Sequence, residues 1–543
     1  MLKDFKELVA KVDCARNAVP TVESMKHFFD MIAKMGYTHV ALLVQDNYQL
    51  DDEPYFGYKR GGYTQAQLRE LDDYAASVGL EMFLQIQTLA HLGPLFRWPQ
   101  YAEINDCDDM LLVGDDKTYE LIEKMLVVAD KCLRSRKLYI AMDEAYRAGS
   151  GKYCKLHGYH PVQEVFLEHL NRICEMAKKY HFEVILSADM FFRFQAGTYF
   201  DGAALPPHEI VFSEDIRNKV PKDVSIIYWD YNGREPEKYE MMLRAMETLT
   251  DKDHIIFQGS AGWSWCSLTP RNRLAMNNTK IALQSCRNHG IERIYFSTFG
   301  DNGAEVSLFA ALPSFMEAAA LACGMSEDEK KKKFKEITGE DFDDMLLLDL
   351  PNRIYGEDVD VGAANFSKTR LFNDPFLGIY DRNTKRAIDD VIFSEYAKRL
   401  HDAAGRAGEF AYLFETQAIL CDVLTNKFNL GIRTRAIYEA GDKEALRKLA
   451  EVDYTNAINA LEVFYRAFRT QWYRDNGSNG FEIQDVRVGG LLCRMRNCRE
   501  MLMDYCAGKT KRIAELEEPV LEFNSALEHN WYYMVSANRF NDN

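Results

Sequence analysis

Two adjacent carboxylates, Asp143 and Glu144, follow the short apolar run 138–141. They are the strongest candidates for catalytic residues in the sequence. An apolar run of this length is typical of a buried strand, and in a parallel sheet or barrel catalytic groups lie where the strands end. Two neighbouring carboxylates do not both ionise readily, so we expect one of them to have a raised pKa and to donate a proton. A helix cap is the simpler interpretation, with Asp143 capping the next helix and Glu144 in its first turn.

Polar and aromatic side chains follow seven other apolar runs in the same way. In a barrel such ends converge on one face, and eight of them together indicate a site rather than a series of caps. Aromatic rings beside carboxylates suit a carbohydrate, whereas a phosphate site is expected to show glycine-rich turns with Lys or Arg. In chain order the ends carry Asp13 with Arg16, Asp46, Gln87 with His91, the acid pair, Asp189, Tyr228 with Trp229 and Asp230, Trp263 with Trp265, and Asp301 with Glu305.

The first 300 residues repeat a short apolar run, a polar end and an amphipathic stretch, which predicts alternating strands and helices. Apolar residues in the stretch 162–177 recur at spacings of three and four, as expected on one face of a helix. Eight such units favour a (β/α)8 TIM barrel of the α/β class, with an open doubly wound sheet as the alternative. No GxGxxG or GxxxxGK(S/T) motif follows a predicted strand, which disfavours the open sheet. The predicted strands are 8–12, 40–44, 82–86, 138–142, 184–186, 224–228, 255–257 and 294–296.

The composition changes after the predicted barrel. The stretch 326–380 has mixed charge and contains Pro351 and Pro375. From 381 onward there is a single proline, Pro519, and long helical patterns rich in Ala, Leu, Glu and Arg. We therefore predict a catalytic barrel over 1–325, a connector over 326–380 and an all-α domain over 381–543.

Composition and charge limit the partners. The chain has 543 residues, of which 47% are hydrophobic, and its net charge of −17 argues against nucleic acid or an anionic membrane surface as a partner. No apolar stretch approaches the ~18 residues of a membrane helix, and the start lacks the apolar region of a signal peptide, so we expect a cytoplasmic protein. The 12 cysteines show no CxxC spacing, so we expect free thiols and neither a metal nor another cofactor.

A set of longer motifs runs through the barrel region: LLVQDNYQLDDEPYFGYKRGGYT, IQTLAHLGPLFRWPQYA, MDEAYRAGSGKY with HGYHP, SADMFFRF, YWDYN and FGDNGAEVS. Together they resemble glycoside hydrolase family 20, and most of all its small bacterial intracellular β-N-acetylhexosaminidases with a C-terminal helical domain. The resemblance continues in the C-terminal part through LFNDPFLGIYD and NGFEIQDVRVGGL. Six motifs in the order of the family are much more specific than one Asp-Glu pair.

The resemblance implies exo-acting, retaining hydrolysis of terminal β-linked GlcNAc or GalNAc, with the 2-acetamido group of the substrate as nucleophile. Glu144 is similar to the general acid/base of the family, and Asp143 to the residue that orients the acetamido group and stabilises the charged intermediate. Tyr228 resembles the tyrosine that hydrogen-bonds the acetamido oxygen, and Arg16 the arginine that holds sugar hydroxyls. The full set of implied substrate contacts is Arg16, Asp46, His91, Tyr228, Asp230, Trp263, Asp301 and Glu305.

Three positions depart from the pattern of the family. Ser187 and Phe299 stand where the family usually has tryptophans, the first of them in the wall of the acetamido pocket, and Ala141 replaces a glycine before the acid pair. Loss of a ring from the wall predicts a roomier pocket around C2 or C6 of the sugar. A ring from Trp229 or Trp263 would refill that space.

Several alternatives stay open. One is a related glycosidase that acts on a modified or non-acetylated amino sugar, which the changes at Ser187 and Phe299 motivate. Another is a non-catalytic sugar-binding protein on the same scaffold, and a metal-dependent barrel hydrolase is a weaker third. The helical domain is expected either to buttress the barrel or to form a homodimer interface. In each enzymatic alternative the substrate is a small glycan or glycoconjugate.

Overall fold

The structure is a computed structural model that describes residues 2–200, 202, 204–353, 366–384, 391–523 and 531–538. The chain divides into two compact units. The first contains residues 1–263, 275–299 and 314–333, and the second contains 264–274, 300–313 and 334–543.

Eight parallel strands form a closed barrel in the first unit. Because β1 (Glu7–Asp13) pairs in parallel with both β2 (His39–Leu43) and β8 (Arg293–Ser297), the sheet has no free edge, and the open doubly wound alternative is wrong. Each of the eight predicted strands is present, with ends that differ by a few residues at most. The strands are β1 Glu7–Asp13, β2 His39–Leu43, β3 Glu81–Gln85, β4 Lys137–Ala141, β5 Glu183–Ser187, β6 Ser225–Trp229, β7 Ile255–Ser260 and β8 Arg293–Ser297.

A helix follows each strand, as the alternating pattern predicts. In α1 the Thr21 hydroxyl accepts the backbone N–H of Ser24 at 3.1 Å, and α2 begins with a capping box between Thr64 and Gln67. The main helices are α1 Val22–Met35, α2 Gln65–Ser77, α3 Asp116–Cys132, α4 Val162–Lys178, α5 Asp189–Ala196, α6 Pro236–Leu249, α7 Asn272–His289 and α8 Leu312–Cys323. Shorter helices are Gly93–Phe96, Pro99–Ile104, Lys152–His157, Glu214–Lys219, Lys252–His254 and Leu308–Ala311.

Alternate residues of the strands fill the interior of the barrel. Because the side chains of a strand alternate between its two faces, residues two positions apart point the same way. Lys11 and Gln85 lie two positions beyond the inward residues of their strands, and the Lys11 ammonium donates to the Gln85 amide oxygen at 2.7 Å. The inward residues are Val9, Ala41, Phe83, Tyr139, Ala141, Ile185, Ile227, Ile256 and Tyr295, with Trp229 packed against them.

Helices, and no strand, form the described part of the second unit, as the sequence predicts for the C-terminal region. Within this unit the helix Ala411–Lys427 packs on both Val391–Ala404 and Thr455–Asp475. No helix among the described residues has the length and apolarity needed to cross a membrane. The helices from residue 327 onward are Glu327–Thr338, Phe342–Met345, Leu346–Asn352, Phe366–Phe372, Asp381–Thr384, Val391–Ala404, Ala411–Lys427, Leu430–Glu439, Lys443–Lys448, Leu449–Tyr454, Thr455–Asp475, Phe481–Cys506, Ala514–Glu517 and Trp531–Val535.

Candidate active site

The acid pair lies in a turn directly after β4, at the carboxyl end of the barrel strands. No helix begins at Asp143 or Glu144, since the next helix starts at Lys152, so the interpretation of the pair as a helix cap is wrong. The Nε2 atom of His91 lies 3.3 Å from Asp143 Oδ2 and 3.6 Å from Glu144 Oε2. Gln87 donates from its side-chain amide to Asp143 Oδ1 at 3.4 Å. The end of β3 therefore supplies a histidine and an amide to the carboxylates at the end of β4.

The backbone before and within the acid pair is unusual. Ala141, Met142 and Glu144 have φ values of 58°, 60° and 54°, in the left-handed region that L-residues rarely adopt. The pairing of β4 with β5 also shifts in register between Tyr139 and Ala141. Bulges and left-handed residues re-aim side chains near the rims of barrels and at functional sites. Here they turn the chain sharply enough to place two successive carboxylates beside one imidazole.

Asp143 and His91 shift each other's pKa in opposite directions. Burial alone would raise the pKa of Asp143, but the charge and hydrogen bond of His91 lower that pKa to about 2. Burial alone would lower the pKa of His91, but the carboxylates of Asp143 and Glu144 raise it to about 9. At neutral pH the site therefore holds an imidazolium ion and an Asp143 anion that form an ion pair.

The backbone of His91 is fixed by a residue that the sequence did not single out. Asp109 Oδ2 accepts the backbone N–H of His91 at 3.0 Å and also lies 3.9 Å from its Nδ1. Asp109 lies in the turn of a small antiparallel hairpin, Asn105–Cys107 with Met110–Leu111. His91 itself has a φ of 60°, so this contact holds a conformation that the chain alone does not favour.

Arg16 and Asp46 lie at the ends of the neighbouring strands β1 and β2. Arg16 Nε is 3.7 Å from Asp13 Oδ2, and its charge opposes protonation of His91, which places it near the acid pair. Asp46 is completely buried and forms an ion pair with Arg60, whose guanidinium also donates to the backbone carbonyl of Ala15. Contacts of Arg16 and Asp46 with a sugar stay predictions.

Tyr228 and Asp230 face the layer of helices, which differs from the expected convergence on one site. The Tyr228 hydroxyl donates to Asp230 Oδ2 at 2.8 Å, and the ammonium of Lys238 on α6 lies 2.7 Å from the same oxygen. All three side chains are buried. The physical reason is strand alternation, because Ile227 and Trp229 point into the barrel and Tyr228 between them points outward.

Tyr231 lies on the inner side and was missed by the sequence reasoning. Its ring stacks on Trp229 with centroids 5.4 Å apart, and its hydroxyl accepts from the Gln258 amide at 2.5 Å. Burial raises the pKa of Tyr231 well above its ordinary value, and the nearby charges of Asp143 and Glu144 add to the rise. The alternation of side chains along a strand could have indicated this, since residues 227, 229 and 231 point to the same face.

Ser187 and Phe299, where the family usually has tryptophans, each contact residues of the barrel interior. The hydroxyls of Ser187 and Tyr139 are 2.6 Å apart and buried. Phe299 packs against Tyr231 with centroids 5.3 Å apart and lies 4.7 Å from the Lys11 ammonium. At Ser187, where the resemblance predicts a tryptophan ring, the structure thus has a contact between two hydroxyls.

The remaining predicted contacts are distributed between the two units. Trp263, in the first unit, is buried and donates from its indole N–H to Asn232 Oδ1 at 3.3 Å. Asp301 and Glu305 belong to the second unit, where the backbone carbonyl of Asp301 accepts the N–H of Cys266 at 2.8 Å. Their contact with a sugar stays a prediction.

Glu305 is enclosed by two cations within the second unit. Its carboxylate lies 2.7 Å from the Lys368 ammonium and 2.9 Å from the Arg487 guanidinium. The side chains of Glu305 and Lys368 have no exposed surface. Burial and two cationic partners suit an anchoring role for this carboxylate.

Exposure separates the groups that a substrate can reach from those that hold the site together. The side chain of Glu144 is 39% exposed, against 23% for Asp143 and 19% for His91. A carboxyl group that is more exposed than the neighbouring anion is suited to proton transfer at a bound ligand, with the anion stabilising positive charge. Among the described residues no group of three His, Cys, Asp or Glu side chains is arranged to hold a metal ion.

Comparison with known families gives one match. Residues 343–535 match the family model described as the Glycoside Hydrolase 20C C-terminal domain. No curated protein sequence matches the chain.

Solved structures of low sequence identity are also similar to this chain. The GH20 exo β-N-acetylglucosaminidase of Vibrio harveyi, in complex with N-acetylglucosamine, has 15% identity and a TM-score of 0.45, over 61% of this chain and 57% of that chain. The GH20 β-N-acetylhexosaminidase of Streptomyces coelicolor has 17% identity and a TM-score of 0.43, over 62% and 70%. The β-N-acetylhexosaminidase of Bacteroides fragilis has 15% identity and a TM-score of 0.46, over 61% and 70%. This chain therefore spans less than two thirds of the Vibrio protein, and such distant matches do not transfer an activity.

Proposed function

We propose that this chain is a β-N-acetylhexosaminidase of glycoside hydrolase family 20, which the match of residues 343–535 to the family 20C C-terminal domain supports. In this proposal it is exo-acting and retaining, and it releases terminal β-linked GlcNAc or GalNAc from a small glycan or glycoconjugate. The observation that carries the proposal is the acid pair at the end of β4, with one imidazolium beside both carboxylates.

Glu144 is the general acid and base in the proposed reaction. Its carboxyl group is the most exposed of the three and can reach the glycosidic oxygen of a ligand at the mouth of the barrel. In the first step it gives its proton to the leaving oxygen as the bond from C1 to that oxygen breaks. In the second step it takes a proton from the water that attacks C1, which restores the starting enzyme and gives net retention.

Asp143 stabilises the intermediate in this scheme. The acetamido carbonyl oxygen of the substrate attacks C1 and forms a cyclic, positively charged intermediate, so the protein supplies no nucleophile of its own. The low pKa of Asp143, set by His91, keeps this carboxylate ionised at neutral pH. An anion held in place before the reaction stabilises the developing positive charge without reorganisation.

Tyr231 and Trp229 supply the aromatic wall in this proposal. Their rings stack at an interplanar angle of 14°, and the Tyr231 hydroxyl lies where the charges of Asp143 and Glu144 act on it. A hydroxyl there is suited to donate to the acetamido oxygen, the role that the sequence resemblance gave to Tyr228. Ser187, which contacts the Tyr139 hydroxyl at 2.6 Å where the family usually has a tryptophan, motivates the alternative of another amino sugar substrate.

Hydrolysis of nitrophenyl β-glycosides tests the proposal. We expect the N-acetylglucosaminide or the N-acetylgalactosaminide to be cleaved, and the unmodified glucoside not to be. Glu144→Gln is expected to lower kcat about 10²- to 10⁴-fold, as for loss of a general acid and base. The matched control is Glu175→Gln, at an exposed glutamate on α4, which should change nothing.

Substrates with mono-, di- and trifluorinated acetamido groups test the mechanism. Fluorine withdraws electrons from the carbonyl oxygen, so kcat should fall steadily along the series if that oxygen is the nucleophile. An unchanged kcat would contradict substrate assistance. Cleavage of the unmodified glucoside alone would favour the alternative substrate, and sugar binding without any cleavage would favour the non-catalytic alternative.

A further inference from the structure

Asp189 is a buried carboxyl group directly beneath the acid pair, and the proposed reaction gives it no role. It is the first residue of α5 and has no exposed surface. Its Oδ2 accepts the backbone N–H of Glu144 at 2.8 Å. Its Oδ1 is buried and has no hydrogen-bond partner among the described residues.

This environment favours the neutral acid. Burial, and then the charge of Asp143, raises the pKa of Asp189 to about 8. Because Oδ2 accepts the Glu144 N–H, we place the proton on Oδ1, which has no hydrogen-bond partner among the described residues. The titratable and charged groups that face Asp189 are Tyr139 on β4, Asp143, Glu144 and Tyr146 after β4, Arg193 on its own helix and Tyr199 beyond it.

The hydrogen bond from Glu144 to Asp189 stabilises the backbone conformation of Glu144. Glu144 has a φ of 54°, a conformation that is unfavourable for an L-residue. Its N–H points inward to Asp189, and an unpaired buried N–H would be unfavourable. The hydrogen bond therefore holds the backbone that aims the Glu144 side chain outward.

We propose that Asp189 is a positioning residue that fixes Glu144 while it is a neutral acid and sets the alkaline limit of activity when it loses its proton. This inference rests on the proposed function. An ionised Asp189 would place a third negative charge beside Asp143 and Glu144. The cation whose charge acts on Asp189 is Arg193, and its guanidinium lies over the Tyr146 ring, 3.8 Å from the ring centroid. Movement of the ionised carboxylate toward solvent lowers the cost of burying its charge, and that movement breaks the hydrogen bond with the Glu144 N–H.

Two substitutions separate the hydrogen bond from the charge. Asp189→Asn keeps an oxygen acceptor for Glu144 but cannot ionise, so it mimics the neutral acid at every pH. We expect it to keep kcat within about tenfold of the wild type near pH 6.5, and its alkaline limb to lie at least one pH unit higher. Asp189→Ala removes the acceptor, and kcat should fall at least 100-fold with little change in KM.

The pH profile of kcat with a nitrophenyl N-acetyl-β-glycoside measures both effects. A merely structural role would give Asp189→Asn the alkaline limb of the wild type, and that result would overturn the proposal. Equal activity of Asp189→Ala and Asp189→Asn would overturn the positioning role. Asp215→Asn, at an exposed position of the helix Glu214–Lys219, is the matched control.

Stability against pH tests the protonation of Asp189 without any substrate. Between the ordinary Asp pKa near 3.9 and about 8, the folded protein retains a proton that the unfolded chain has released. Rising pH must therefore lower the Tm of the wild type relative to Asp189→Asn across this range. If no enzyme form cleaves any glycoside but this trend is present, the proposed function fails and the neutral Asp189 stands. If the trend is absent, the inference fails whatever the activity.

Discussion

His91 contacts both carboxylates of the acid pair, and its positive charge should make the stability of the protein depend on pH. Its pKa is raised from 6.5 to about 9 by Asp143 and Glu144. The stabilisation that follows is fully present below pH 6.5 and is lost as the pH rises to about 9. At 1.36 kcal/mol per pKa unit the upper bound is ~3 kcal/mol. We therefore expect His91→Asn to lower the free energy of unfolding more at pH 6 than at pH 9.5.

Chemical unfolding of the wild type and His91→Asn at both pH values measures this difference. The exposed His181→Asn is the control and should show no such dependence. His91→Asn should also lower kcat about 10- to 100-fold, because Asp143 loses the cation that keeps it ionised. A difference in stability that is equal at pH 6 and pH 9.5 would show that His91 carries no shifted proton.

The limits of the sequence are also clear at the scale of residues. Adjacent carboxylates after an apolar run indicate chemistry, and the structure brings His91 to both of them. The resemblance gives the acetamido contact to Tyr228, although strand alternation points this side chain toward the helices. Asp109 gave no signal, since its contact with the backbone of His91 depends on a hairpin that sequence spacing does not predict.

At the scale of elements, the barrel was predictable because each strand is an apolar run between polar segments. A buried parallel strand has both faces covered, so its sequence is continuously apolar and easily recognised. The shape of the strand ends was not predictable in the same way. The left-handed residues at the end of β4 arise where tertiary contacts impose a conformation that local preference opposes.

Ala141 provides a test of that imposed conformation. It is buried and has a φ of 58°, and the family usually has glycine here. Ala141→Gly loses a buried methyl of about 0.8 kcal/mol and gains chain entropy in the unfolded state, but it relieves a left-handed strain of roughly 1–2 kcal/mol. We expect these terms to cancel, so that the free energy of unfolding changes by less than about 0.5 kcal/mol.

Ala10→Gly is the matched comparison, because Ala10 is equally buried in the middle of β1. There no strain is relieved, and we expect a loss of about 1–2 kcal/mol. Denaturant unfolding of the two variants under the same conditions measures the contrast. Equal losses at the two positions would show that the end of β4 stores no backbone strain.

At the scale of the whole molecule, the sequence predicted two kinds of structure but not how the chain divides between them. The segments 264–274 and 300–313 follow barrel strands yet belong to the second unit. There the backbone N–H of Asn272 donates to Asp349 at 2.9 Å, and Glu305 contacts Lys368. The predicted boundaries at 325 and 380 depend on changes in composition along the chain. Contacts between residues so far apart in sequence do not change the local composition. Those boundaries stay predictions.

Glu305 and Lys368 provide the test that belongs to this scale. The resemblance assigns Glu305 to substrate binding, whereas its burial between Lys368 and Arg487 suits an anchor for the segment 300–313. Removing one partner of a buried ion pair costs about 3–5 kcal/mol, so an anchor predicts that Lys368→Met lowers the stability of the full chain by that order. Lys398→Met, which removes an exposed pair with Asp402, should cost less than about 1 kcal/mol.

Glu305→Gln then separates the two roles of the carboxylate. As an anchor, it should lower the Tm with KM almost unchanged, and it should recover part of the loss when combined with Lys368→Met, because the two changes remove opposite charges. As a sugar contact, it should raise KM several-fold and leave the Tm near that of the wild type. Calorimetry and Michaelis–Menten kinetics on the same preparations decide between these outcomes. A raised KM with an unchanged Tm would return Glu305 to the binding site that the sequence assigned to it.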